Sequence, residues 1–180
     1  MEQFVAFLRS INVGGKNLIK MDQLSKTFEM LGFKNVKTYI QSGNVIFDSK
    51  LTDEKLILSK TEKELHKLLS KNVILVVRHA DEIKSIVKSN PFLKIKFAPS
   101  TKLYVSLLKD DLKQKPKLPI LSDKKDIEIF HITKREIYSI TSEINGRFGF
   151  PNNFVEEVLK VSATTRNWNT ILKISELINN

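Results

Sequence analysis

The order in which apolar periodicity changes along the first 79 residues constrains this chain more than any other feature. Residues 3 to 9 (Gln-Phe-Val-Ala-Phe-Leu-Arg) form a short apolar and aromatic run bounded by polar residues, the pattern of a buried strand. Met21, Leu24, Phe28 and Leu31 then recur at intervals of three and four, a helical stripe, with Gly32 just past its end. Val36, Thr38 and Ile40 alternate with Lys37, Tyr39 and Gln41; Ser42-Gly43-Asn44 supplies turn chemistry, and Val45 to Phe47 returns as the second arm of a hairpin. A helix capped by Thr52 presents Leu58, Leu65, Leu68 and Leu69, and Val73 to Val77 is a fourth strand. Strand, helix, strand, strand, helix, strand is the split order of a ferredoxin-like α/β plait. In that topology the end of the first strand and the turn between the second and third strands share one edge.

The second half changes composition, since all five prolines fall at or after Pro91. A short helix over 81–88 ends before Pro91, because the residue preceding proline avoids helical geometry. A crossing segment follows over 91–100, sealed by Phe92 and Phe97. Leu103 to Leu108 reads as a strand, Asp110 to Lys115 as a weak helix, and Ile127 to Ile132 with Ile137 to Ile140 as a second hairpin. Two helices near 152–160 and 166–178 complete the chain, the last capped by Thr164 or Thr165. The expected fold class is therefore α+β: a ferredoxin-like subdomain over 1–79 and a second, related α+β subdomain with two C-terminal helices over 80–180.

Composition excludes several chemistries. The chain has no cysteine, so disulfides, thiolate metal sites and cysteine nucleophiles are absent. Its three histidines, His66, His79 and His131, lie far apart and form no ligand pair, so no metal site is expected. No apolar run approaches the roughly 20 residues of a membrane span, and the expectation is a cytoplasmic protein without a membrane partner. The net charge of +10 favours acidic partners, but 25 of the 30 basic residues are lysine and the excess is spread over both halves. A solvated lysine surface and a polyanion-binding face both fit that distribution.

Binding chemistry concentrates in three polar stretches. Gly14 and Gly15 allow close backbone approach between the first strand and first helix, with Lys16 beside them and Arg9, Asn12 and Asn17 in the same segment. Amides and cations there suit a phosphate or carboxylate, although the spacing is not that of a Walker loop; a plain connecting turn fits equally. Ser42, Gly43 and Asn44 form a hairpin turn that the plait brings to the same edge. At the far end Thr165, Arg166 and Asn167 open the last helix, where a cation in the first turn opposes the helix dipole and calls for an anionic partner. Trp168 shares a face with Ile171, Leu172 and Ile178 and reads as core.

Taken together, the blocks Arg9 to Asn17, Tyr39 to Val45 and Ala163 to Thr170 resemble the bacterial family called domain of unknown function 1697 over essentially the whole chain. The resemblance implies a cytosolic α+β protein with a ferredoxin-like N-terminal part, and no activity, cofactor or catalytic residue. Two positions depart from the family pattern: Ser10 stands where glycine is usual, and Gly146-Arg147-Phe148 stands where Gly-Arg-Ser is usual. The leading functional expectation is a small anionic ligand, a nucleotide or phosphorylated metabolite, held by the three polar stretches. RNA or single-stranded nucleic-acid binding and a protein-protein interaction module are the alternatives.

Overall fold

The computed structural model describes residues 1–9, 11, 19–70 and 72–178. The chain is a mixed α+β protein whose sheets are antiparallel, and it divides into two compact units: Met1–Ser85 with Ile174–Asn180, and Ile86–Lys173.

In the first unit, β1 (Glu2–Leu8), β2 (Lys34–Tyr39), β3 (Asn44–Ser49) and β4 (Leu75–His79) form a sheet in the order β2-β3-β1-β4. β1 lies between β3 and β4, with Phe4 opposite both Phe47 and His79. Helices α1 (Met21–Met30) and α2 (Glu54–Leu69) cover one face. Period two sends Phe4, Ala6 and Leu8 to that face, where they join Leu24, Phe28, Phe47, Ile57 and Leu65 in one buried cluster. The rings of Phe28, Phe33 and Phe47 stack within it at 4.5–5.8 Å. Helix α1 ends as its sequence requires, Gly32 adopting φ +85° directly beyond the last turn. The cap of α2 is Asp53, whose carboxylate accepts from the Lys55 amide at 2.8 Å, and not Thr52. β4 is displaced two residues from the apolar run 73–77.

Alternation also puts Val5, Phe7, Ile46, Val76 and Arg78 on the opposite face of that sheet, and all five are buried. Arg78 is 1% exposed, and its Nη1 donates to the Val77 carbonyl at 2.9 Å.

The second unit is built on β5 (Lys102–Leu108), β6 (Ile120–Leu121), β7 (Ile127–Ile132), β8 (Glu136–Thr141) and, after a small hairpin of β9 (Glu143–Ile144) and β10 (Arg147–Phe148), β11 (Ala163–Asn167). The order is β11-β5-β8-β7-β6. Helix α3 (Ala80–Ser89) leads into this unit and α4 (Pro151–Leu159) packs on its sheet, burying Val155 against Leu108, Ile129, Ile132, Ile137 and Ala163. Helix α5 (Trp168–Ile178) ends the described chain.

Three expectations are corrected in this unit. Residues 110–115 carry no helix, so nothing between β5 and β7 corresponds to α1. Phe97 is 40% exposed and seals nothing, whereas Phe92 is buried against Phe130, Tyr138 and Trp168. Residues 163–167 form a strand, and the last helix starts only at Trp168. Thr164 and Thr165 therefore cap nothing, and Arg166 does not oppose a helix dipole. Two β-branched threonines paired across Leu107 and Ser106 fit a pleated edge strand better than a first helical turn.

Candidate functional site

At the C-terminal end of β1 the structure brings two of the polar stretches together. The Leu8 amide donates to the Gly43 carbonyl at 2.8 Å, and the Arg9 amide donates to Ile74 at 2.9 Å, so the β1 end is held between the β2–β3 turn and the lead-in to β4. Two turn positions lie in the left-handed region: Gly43 at φ +78°, which glycine accepts freely, and Ile40 at +50°, which is strained for a β-branched residue. Gly43 is fixed twice over, because a Cβ there would lie 2.4 Å from Ile11 Cδ1 and 2.9 Å from Leu8 Cβ. Asn44 is fully buried and its amide nitrogen closes the turn, donating to the Tyr39 carbonyl at 3.0 Å and to Ser42 Oγ at 3.1 Å. Arg9, Ile11, Ser42, Gly43 and Asn44 are thus neighbours. Asn12, Gly14, Gly15, Lys16 and Asn17 lie outside the described residues.

Thr165, Arg166 and Asn167 belong to the second unit's edge strand. The Thr165 amide and hydroxyl both donate to Asn152 Oδ1 of α4 at 3.0 Å. With that hydroxyl proton committed, Ser106 donates to Thr165 Oγ1 across 2.7 Å. Arg166 is 8% exposed and donates from Nη1 to the Thr165 carbonyl at 3.0 Å; burial pulls its guanidinium down to about 10, so it remains a cation at neutral pH.

Sequence reading missed a buried polar layer over this sheet. Register places Ser106, Tyr104 and Lys102 of β5 on one face, opposite Thr165 and Asn167 on one side and Ser139 and Thr141 on the other. Ser139 Oγ and Asn152 Nδ2 are buried with no hydrogen-bond partner among the described residues. Burial raises the Tyr104 phenol, an effect that Thr141 partly offsets. The signal was present as Tyr104 and Ser106 alternating with Val105 and Leu107 in an apolar strand, where polar residues on a covered face mark a layer of side-chain hydrogen bonds. Likewise Arg78 follows the apolar Leu75, Val76 and Val77 in β4 and is buried with them.

Among the described residues no group of histidines, acids or cysteines is arranged to hold a metal, and no helix is long and apolar enough to cross a membrane. The β1 end brings Arg9 and Ser42, whose side chains carry donor types that an anion uses, into neighbouring segments, while the Leu8 and Arg9 amides are engaged within the fold.

No curated protein matches the chain. Its fold is similar to that of a solved structure, the conserved bacterial protein SP0830 from Streptococcus pneumoniae, with a TM-score of 0.71 over 98% of each chain at 20% identity. That likeness supports the α+β fold. A family model described as protein of unknown function (DUF1697) matches residues 1–138, and the chain belongs to that family.

Proposed function

We propose that this protein binds a small anionic ligand, such as a nucleotide or phosphorylated metabolite, at the β1 end of its first unit. The observation that carries the reading is the Leu8 to Gly43 hydrogen bond, with Ile11 packed against the Gly43 backbone. It sets Arg9 and Ile11, which lead in sequence toward Gly14-Gly15-Lys16, beside the Ser-Gly-Asn turn. Arg9 and Lys16 would neutralise the anion, and amides at Gly14 and Gly15 with Ser42 would orient it. Asn44 and Gly43 serve by holding the turn. Thr165, Arg166 and Asn167 are left out of this site, because the hydrogen bonds of Thr165 and the burial of Arg166 account for them within their own sheet.

We read the first unit as a ferredoxin-like plait, on its β2-β3-β1-β4 order with both helices on one face. We read the second as a separate α+β subdomain, and the protein as cytoplasmic. The test is titration of inorganic phosphate, pyrophosphate and adenosine monophosphate into 15N-labelled protein. Saturable shifts of the Arg9, Ser42, Gly43 and Asn44 amides are expected with at least one of them. Shifts confined to residues 86–173, or none at millimolar ligand, would refute the site.

A further inference from the structure

Residues 109–119, expected to be helical in part, instead run irregularly after β5, and Asp110 to Pro116 form one wall of a groove of about 1100 Å3. The other wall is the C-terminal end of α4 and the lead-in to β11, from Val158 to Ser162. Its floor is apolar, since Leu112, Leu159 and Val161 pack on the second unit's core, and Val158 stands 39% exposed beside them. This groove lies entirely within the second unit and is independent of the proposed anion site.

The charges of the groove are unequal once internal partners are counted. Asp111 is engaged by Lys134 Nζ at 2.8 Å and faces Arg135 Nε at 3.9 Å. Glu156, half-buried, accepts from the Ala163 amide at 2.9 Å, a bond that orients its carboxylate and leaves the charge in place. Lys113, Lys115 and Lys160 are exposed along the groove against Asp110 and Glu156, while Asp111 is matched by Lys134 and Arg135, which leaves a cationic excess. The field of Lys115 reaches His131, where, with Lys94 and after burial, it disfavours the imidazolium. The result is an apolar trough with a cationic rim.

We propose that this groove docks an acidic peptide segment of a partner protein, apolar side chains on the Leu112, Val158 and Val161 floor and carboxylates on Lys113, Lys115 and Lys160. Three features select that occupant. The groove is an open trough, not the enclosed cleft that buries most of a small ligand's surface. Its lining contains no aromatic ring on which a nucleobase would stack. An inorganic anion would leave the apolar floor unused. Carboxylates opposite three lysines supply the complementarity that steers such encounters.

The experiment uses the full chain and a fluorescein-labelled dodecapeptide, Glu-Glu-Leu repeated four times, followed by fluorescence anisotropy. Saturable binding that weakens with added salt is expected. Lys113→Glu combined with Lys160→Glu should lower affinity about tenfold, since reversal replaces two exposed attractions by repulsions. Val158→Asn should lower it about threefold to fivefold through the floor, and Asp110→Asn should raise it. All four positions are exposed, and unchanged circular dichroism verifies folding. Failure to bind, equal binding by the charge-reversed variant, equal binding of the Lys-Lys-Leu repeat, or equal displacement by oligothymidylate would each overturn the assignment.

Discussion

Gly43→Ala tests the packing at the β1 end directly, because its cost separates into two parts with an internal control. The first part is conformational. At φ +78° an L-residue is strained by about 1–2 kcal/mol. The second is steric: the new methyl would sit 2.4 Å from Ile11 Cδ1, 2.8 Å from its Cγ1 and 2.9 Å from Leu8 Cβ. Ile11 can rotate its outer carbons away, but Leu8 Cβ is attached to a strand whose amide donates to the same turn, so backbone must shift. Overpacking of that kind costs about 1–3 kcal/mol, giving about 2–5 kcal/mol in all. Gly32 shares the left-handed backbone, at φ +85°, yet nothing lies within 4 Å of its virtual Cβ. Gly32→Ala should therefore cost only about 1–2 kcal/mol. Urea unfolding followed by far-ultraviolet circular dichroism gives both values, while fluorescence of Trp168, the only tryptophan, reports on the second unit's core. Equal costs for the two substitutions would refute the close approach of Ile11 and Leu8 to the turn.

Removing the Ser106 hydroxyl (Ser106→Ala) should destabilise by about 1–2 kcal/mol by breaking its bond to Thr165, whereas Ser139→Ala, at an equally buried hydroxyl without a partner among the described residues, should be neutral or slightly stabilising in the same urea assay. Burial raises Tyr138 and Tyr104 above the ordinary phenol value of 10, so the unfolded chain ionises first; stability should hold below about pH 10 and fall as pH rises beyond it, less steeply in Tyr138→Phe. His131 has the opposite sense, its folded value lying below 6.5 through burial and the fields of Lys115 and Lys94. The unfolded chain then takes up more protons, stability present above about pH 6.5 falls as pH drops through that range, and His131→Gln should flatten the slope.

Local patterns that coincide with tertiary structure were legible in the sequence. The Met21 to Leu31 stripe, the Gly32 terminus and the two hairpins are each fixed by residues within a few positions of one another, and each is present. The failures fall where a distant partner decides. Residues 163–167 lie before a strongly helical segment, yet the Leu107 and Ser106 strand and the Asn152 carboxamide recruit both threonines into a sheet. Residues 110–115 contain good helix formers, but the Leu112 amide donates to Lys134 and Asp111 pairs with Lys134, which draws the segment out toward the β7–β8 turn. The buried polar layer was hidden for a related reason: its members come from β5, β8, α4 and β11, and only the register shows that they share a face.

The same distinction sharpens what the Ser-Gly-Asn turn says about function. Gly43 is demanded by its φ and by Ile11, and Asn44 by the Tyr39 carbonyl that its amide satisfies inside a buried position. Both residues are therefore explained by the fold with no ligand present, and their occurrence in the motif adds nothing to the case for binding. Substituting either would weaken any ligand response simply by loosening the turn. Ser42 differs. It is half-buried, and Ser42→Ala removes the Oγ that accepts from Asn44 at 3.1 Å while leaving the left-handed positions and the Asn44 to Tyr39 bond in place. A phosphate-induced amide shift that survives Gly32→Ala but is lost in Ser42→Ala, with the latter destabilised by no more than the roughly 0.5–1.5 kcal/mol of one hydrogen bond, would tie the anion to this edge. Loss that simply tracks the stability lost across Gly32→Ala, Ser42→Ala and Gly43→Ala would reduce the turn to a structural hinge-pin of β1.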